Sequence, residues 1–196
     1  VYKRQGLEVD YLAGAEGWWE ELRSMRQWDY WIGSVHYLPD GIEVDHPKYI
    51  NRYREGNPEQ IWDIYWQTYE ACIRSGWFEF VGHPDLPKKF GYIPTGDLRR
   101  YYDPVIQALV DCNMAYEINT AGWRKDCREQ YPARQFVELA CSAGVPMLIN
   151  SDAHDPLELG NGFVEALQIA RDAGYRETVR FEGGKKKMVQ LPEVKR

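Results

Sequence analysis

Cysteine, histidine and long apolar runs are all scarce in this 196-residue chain. Its four cysteines, Cys72, Cys112, Cys127 and Cys141, are far apart and form no CxxC pair. Neither a disulfide framework nor a cysteine-zinc module is indicated, and the thiols read as reduced residues of a cytosolic protein. No apolar run approaches the roughly 20 residues that a membrane-spanning helix needs, and no signal-peptide pattern opens the chain. A cytoplasmic protein with no membrane partner is therefore expected. Clustered basic residues are missing too. The net charge is -6, and only Lys185, Lys186 and Lys187 stand together, after Gly183 and Gly184, where a solvated hairpin turn accounts for them. The lysine and arginine stripe that tracks a phosphate backbone is absent, so no nucleic-acid partner is expected. An initiator methionine is absent as well: VYKRQ runs straight into GLEVDYL, and a fragment is one reading of the chain.

What is present suits a single folded domain over 1–196, since 44% of the residues are hydrophobic and 14% aromatic, enough to bury a core. Short apolar runs alternate with longer helical patterns, the signal of an α/β chain with parallel strands. The runs place strands at 7–12, 30–35, 78–82, 114–119 and 146–150, and helical spacing marks 16–27, 58–74, 98–112, 131–142 and 163–173. Asn57-Pro58 supplies a cap followed by a first-turn proline, and Gly76 and Gly144 stand where helical patterns stop. Trp62, Tyr65, Trp66 and Tyr69 recur at three- and four-residue spacing, as a buried helix face would. ETVRFEGGKKKMVQL alternates on both sides of Gly183-Gly184 and reads as a terminal hairpin or a last strand with a loop.

Polar residues gather at the strand ends. Glu8 lies in the first strand, His36 follows the second, His83 the third, Glu117 and Asn119 close the fourth, and Asp152 and His154 follow the fifth. In barrel-type α/β folds such side chains converge on one mouth, and histidine with carboxylate is the donor set for zinc, manganese or iron. Three of the four histidines occupy these positions; the fourth, His46, sits in a polar, proline-flanked stretch. Read singly, each residue has a plainer account: His36 as a hydrogen-bonded loop histidine, GHPD as a turn, Glu8 as a solvent-facing strand residue beside Asp10, Asp152 as a cap. Spacing alone leaves a metal site and these structural roles both open.

The segments GLEVDY, DYWIGSVHYL, FVGHPDLPKKFG, EINTAGWRK and NSDAHDPLELG, in that order, resemble the histidinol-phosphate phosphatases of the polymerase and histidinol phosphatase (PHP) superfamily. The resemblance covers nearly the whole chain. It implies a distorted (β/α)7-type barrel with up to three divalent metals at the strand C-terminal ends. Glu8 resembles the carboxylate that bridges two metals, His36 and His83 resemble ligands of one of that pair, Asp152 a ligand of the other, and His154 a ligand of the third. The family also carries an HxH strand and a further histidine ahead of the equivalent of GLEVDY. Neither stands before Glu8 here, which implies a barrel lacking its first two strand-helix units.

The activity implied is hydrolysis of a small phosphate ester, L-histidinol phosphate, in histidine biosynthesis through a metal-bridging hydroxide, with a partial chain weakly active or inactive. Asp152, or a metal-bound water beside it, is the implied proton donor to the leaving alkoxide. A phosphate dianion also needs a fixed cation, for which an arginine fork is well suited. Arg124 is the first candidate; Lys88, Lys89 and Asn119 are further ones, and Tyr37 would stand at the mouth. Two other functions stay open: a PHP-type phosphoesterase or nuclease with another substrate, and a non-catalytic scaffold. The sequence does not set the oligomeric state.

Overall fold

A computed structural model of the protein describes residues 4–193. Five strands, β1 (Gly6–Asp10), β2 (Tyr30–Ser34), β3 (Phe80–Val81), β4 (Ala115–Asn119) and β5 (Met147–Asn150), form one sheet in the order β1-β2-β3-β4-β5. Every neighbouring pair is parallel. Helices α1 (Glu16–Ser24), α2 (Ile50–Arg54), α3 (Pro58–Arg74), α4 (Arg99–Asp111), α5 (Arg134–Ser142) and α6 (Phe163–Ala173) alternate with the strands. Each strand lies beside its predecessor in sequence, the advance that βα units make in barrel-type folds. Among the described residues β1 and β5 each pair on one side only, so the strands make an open sheet and not a closed barrel.

The sheet separates two cores. One face, with Val9, Trp31, Val81, Tyr116, Ile118 and Met147, packs under the helices. Helix α3 shows how the sequence builds this layer. The Asn57 side chain accepts from the Glu59 backbone N–H and Pro58 occupies the first turn, satisfying an end that would otherwise expose unpaired donors. Its apolar stripe buries Trp62, Tyr65, Trp66 and Tyr69, each at most 3% exposed. Burying an aromatic side chain is worth about 1.5–3 kcal/mol. Two of these rings also reach the sheet: Tyr69 donates to the Gly82 carbonyl at 2.8 Å and Tyr65 to the His83 carbonyl at 3.2 Å. The helix thus fixes the backbone just beyond β3.

The other face carries Tyr30, Ile32, Phe80, Ala115 and Leu148 and is covered by Val179 and Phe181. These come from an antiparallel ribbon, β6 (Glu177–Glu182) and β7 (Lys185–Gln190), joined through Gly183 and Gly184 at φ 56 and 73, angles that glycine adopts at little cost. The buried Asp29 carboxylate docks it, accepting the backbone N–H of Gly183 at 2.7 Å and of Gln5 at 2.8 Å. Lys185, Lys186 and Lys187 lie in β7 itself and not in the turn, and Lys186 Nζ donates to Asn113. Toward the strand C-termini the same sheet face turns polar, with Glu8, Ser34, Glu117, Asn119 and Asn150.

Candidate metal centre

Alternation along β1 puts Glu8 on this polar face, and the next two strands bring a histidine to it from each following loop. His83 Nε2 lies 3.0 Å from Glu8 Oε1 and His36 Nε2 3.8 Å from the same oxygen. One ligand atom from each of Glu8, His36 and His83 lies within 4.8 Å of the others. Atoms tetrahedrally bound at about 2.1 Å from one ion stand roughly 3.4 Å apart, so the trio matches a single divalent cation in spacing as well as in donor type. Asp10 backs it. Its carboxylate is 2.6 Å from His36 Nδ1, the carboxylate–histidine arrangement that turns the other ring nitrogen toward a metal.

The electrostatics follow from this packing. Burial pushes the Glu8 carboxyl up, but hydrogen bonds from His83 and Ser34 and the nearby imidazoles more than offset it and hold it at about 2. For His83, burial opposes the charge while the Glu8 contact favours it and prevails, raising the ring to about 9. Burial raises the Glu117 carboxyl, against the pull of His83 and of the Asn119 and Asn150 amides. Backbone strain collects here as well: His83, Asp85 and Asp152, at φ 25, 59 and 48, make up three of the five non-glycine residues with positive φ among those described. Such conformations persist where surrounding contacts over-determine them, often at functional sites.

A cleft of about 220 Å³ opens over the trio, lined also by Asp45, Lys89, Lys125, Asp152 and His154. A second of about 220 Å³ adjoins it across Glu8 and Asp152 and reaches Glu117, Asn119 and Asn150. Asp152 and His154 therefore face the cleft, though from its far rim: Asp152 accepts from Asn119 Nδ2 at 3.3 Å, and the His154 side chain is 84% exposed with Nδ1 3.1 Å from the Asp152 carbonyl. A larger, apolar cleft of about 290 Å³ between sheet and ribbon holds none of these ligand side chains.

The cations are arranged differently from the sequence-based expectation. Lys88 does not enter the cleft. It is 1% exposed and its Nζ is 2.7 Å from Glu129, 2.7 Å from the Gln130 carbonyl and 3.1 Å from Asp85. Lys89 turns the opposite way and binds the Asp45 carboxylate and carbonyl, each at 2.7 Å. The two lysines thus tie the His83 loop to both flanking loops. Arg124 Nη2 donates to the Ser151 and Asp152 carbonyls at 2.9 and 3.2 Å, bracing the Asp152 loop, while its buried Nη1 has no partner among the described residues. Lys125, which sequence reasoning passed over beside Arg124, lines the cleft and forms no ion pair among the described residues. Asn119 donates to Glu117 and Asp152 and caps the turn at Ala121. His46 caps a separate turn at Lys48, and the half-exposed Tyr37 lines a neighbouring apolar hollow. Ser34 was missed, and Asp10, two residues from Glu8 and so on its face, was read only as its solvent-facing neighbour and not as a partner of His36.

No protein-family profile matches the chain. It is 40% identical over 178 residues to a "probable histidinol-phosphatase" of Deinococcus radiodurans, covering 91% of this chain and 67% of that one. A protein of the same name from Schizosaccharomyces pombe is 25% identical over 200 residues, covering 91% and 65%. Among solved structures, a histidinol phosphate phosphatase of Lactococcus lactis, in complex with zinc, L-histidinol and phosphate, superposes with a TM-score of 0.73 at 21% identity, over 92% of this chain and 70% of that one. At that identity the likeness is one of fold. The chain spans about two-thirds of the length of the curated relatives it matches.

Proposed function

This chain belongs to the histidinol-phosphatase family, and from that premise we propose that it supplies metal ligands of a phosphomonoesterase acting on L-histidinol phosphate. The observation that supports it most directly is the convergence of Glu8, His36 and His83 on one point at the strand ends. The five sequential strands are read as an arc of a distorted (β/α)7-type barrel, and the strand C-terminal end of that arc as its reactive mouth.

Glu8, His36 and His83 would hold a divalent ion, with zinc, manganese or iron suited to such donors. Asp152 and His154 would serve further ions in a chain of the relatives' full length. When bound, such ions supply Lewis acidity to phosphoryl oxygens and acidity to water. The protein's own groups do the rest. Asp10 fixes the His36 ring. Lys125 offers its ammonium to the phosphate dianion from the cleft wall, whereas Arg124, which lines neither cleft and pairs with Glu158, is read as holding the Asp152 loop and not substrate. Asp152 is proposed to take up the proton lost by the attacking water and pass it to the leaving alkoxide as the P–O bond to histidinol breaks. Lys88 is withdrawn as a substrate ligand because its charge is already spent on Asp85 and Glu129, and Asn119 is read as holding Asp152 and not substrate.

Phosphate release from L-histidinol phosphate and from a 5′-mononucleotide, with metal content measured alongside, tests the reading. Histidinol phosphate is expected to be the preferred substrate of a full-length relative-sized protein, with turnover lost in Glu8→Gln. The 196-residue chain is expected to bind fewer than three metals and to turn over weakly or not at all. Equal use of the mononucleotide, or activity indifferent to Glu8→Gln, would overturn it.

A further inference from the structure

Glu117 is a carboxylate with an unusual environment. It lies on β4, 3% exposed, and no lysine or arginine pairs with it among the described residues. Burying a carboxylate without a cation costs several kcal/mol unless hydrogen bonds replace the lost water. Here three donors do so. Oε1 accepts the His83 backbone N–H at 2.7 Å and Asn119 Nδ2 at 2.8 Å, and Oε2 accepts Asn150 Nδ2 at 2.5 Å.

The first of these bonds falls where the chain is least able to hold its own shape. His83 sits at φ 25, which an L residue occupies only under constraint. The residue is clamped from both sides, its N–H by Glu117 and its carbonyl by Tyr65. Space against this clamp is tight: a Cβ added at Gly82 would meet Ser34 Oγ at 2.6 Å and Glu117 Oε1 at 3.4 Å. Relaxing the turn would swing the imidazole away from Glu8. Asn119 links the same carboxylate to Asp152 at 3.3 Å, so the loops after β3 and β5 share one anchor.

We propose that Glu117 is a positioning residue, whose hydrogen bond to the His83 backbone delivers His83 Nε2 to Glu8 and whose bond to Asn119 registers Asp152 against them. The consequence for metal binding rests on the proposed function; the placement of His83 does not.

The test uses the metal-free protein first. Long-range ¹H–¹⁵N correlations of the His83 ring report its contact with Glu8. Glu117→Met keeps length but has no acceptor, and the His83 signature is expected to be lost while the chain stays folded by circular dichroism. Glu117→Gln keeps Oε1, and the Asn150 amide can rotate to meet its new N–H, so the signature should be retained. Should the methionine variant fail to fold, Glu117→Asp keeps the charge but withdraws it by one methylene and should still lose the signature. A His83 ring unchanged in both Met and Asp variants, or disturbed as fully in Gln as in Met, would overturn the proposal. Titration with zinc alone then separates the two readings. A Kd raised about 10–100-fold in Glu117→Met and restored in Glu117→Gln extends the role to the metal. A wild-type chain that takes up no zinc would sink the metal reading while leaving the His83 result to decide this one.

Discussion

Replacing Lys88 by methionine separates a buried structural cation from a substrate ligand. The side chain is 1% exposed and compensates two carboxylates, at 2.7 and 3.1 Å, as well as the Gln130 carbonyl. Methionine nearly fills the volume, so a cavity contributes little. The cost comes from Asp85, which is fully buried and sits at φ 59, left beside no cation. Breaking one side of a buried pair typically costs about 3–5 kcal/mol. At ~2–4 °C per kcal/mol for a domain of this size, Tm should fall by roughly 6–20 °C. Burial already pushes the Asp85 carboxyl up to about 7 against the pull of Lys88; without that lysine it rises further. A carboxyl raised in the folded state favours the fold when protonated and costs it stability as pH climbs past its unfolded value. The deficit of Lys88→Met should therefore narrow at pH 5 relative to pH 8, and Lys88→Met/Asp85→Asn should recover most of it. Urea unfolding at both pH values measures this. A variant within about 1 kcal/mol of wild type, or a double variant no better than the single one, would refute the reasoning.

Other consequences are equally open to measurement. Asp10→Asn removes the charge behind His36 and should weaken zinc binding by about 10–100-fold with little change in Tm; an unchanged Kd by calorimetry would count against the backing role. In metal-free protein the Glu8–His83 pair should stabilise the fold most between the ordinary values of 4.5 and 6.5, since His83 is raised to about 9 and Glu8 lowered to about 2. Stability should decline as pH rises through 9 and again as it falls toward 2, and Glu8→Gln should flatten the alkaline decline in EDTA-treated samples. Asp29→Ala should cost about 1.5–3 kcal/mol by removing the carboxylate that accepts from Gln5 and Gly183 and should speed amide exchange at Gly183; protection equal to wild type would mean that the ribbon is held by its apolar face alone.

Much of the fold was legible because its causes are local. Helix α3 occupies 58–74 as its cap, first-turn proline and aromatic spacing indicate, and α6 occupies 163–173. The five strands fall within a residue or two of their apolar runs, β3 excepted, where only Phe80 and Val81 keep ladder geometry. Neighbours in sequence decide such features, through capping bonds and the two periodicities of backbone structure. The strand-end position of Glu8, His36 and His83 follows from the same alternation, and the fold then brings them to one point.

Direction at single-turn helices and loops was not legible. Lys88 and Lys89 are adjacent in DLPKKFG, as Arg124 and Lys125 are in NTAGWRK, and nothing local says which of each pair faces the cleft. Successive residues of a 3-10 turn point about 120° apart, so partners elsewhere choose: Glu129 draws Lys88 inward, Asp45 takes Lys89, and the Ser151 and Asp152 carbonyls take Arg124. Those partners lie 27 to 44 residues away. By itself, then, the sequence determined the elements and the ligand types, which depend on near neighbours and side-chain chemistry. Tertiary structure alone decided which charges are consumed inside the protein and which remain to meet a substrate, because a buried charge goes to whatever opposite group the fold sets beside it.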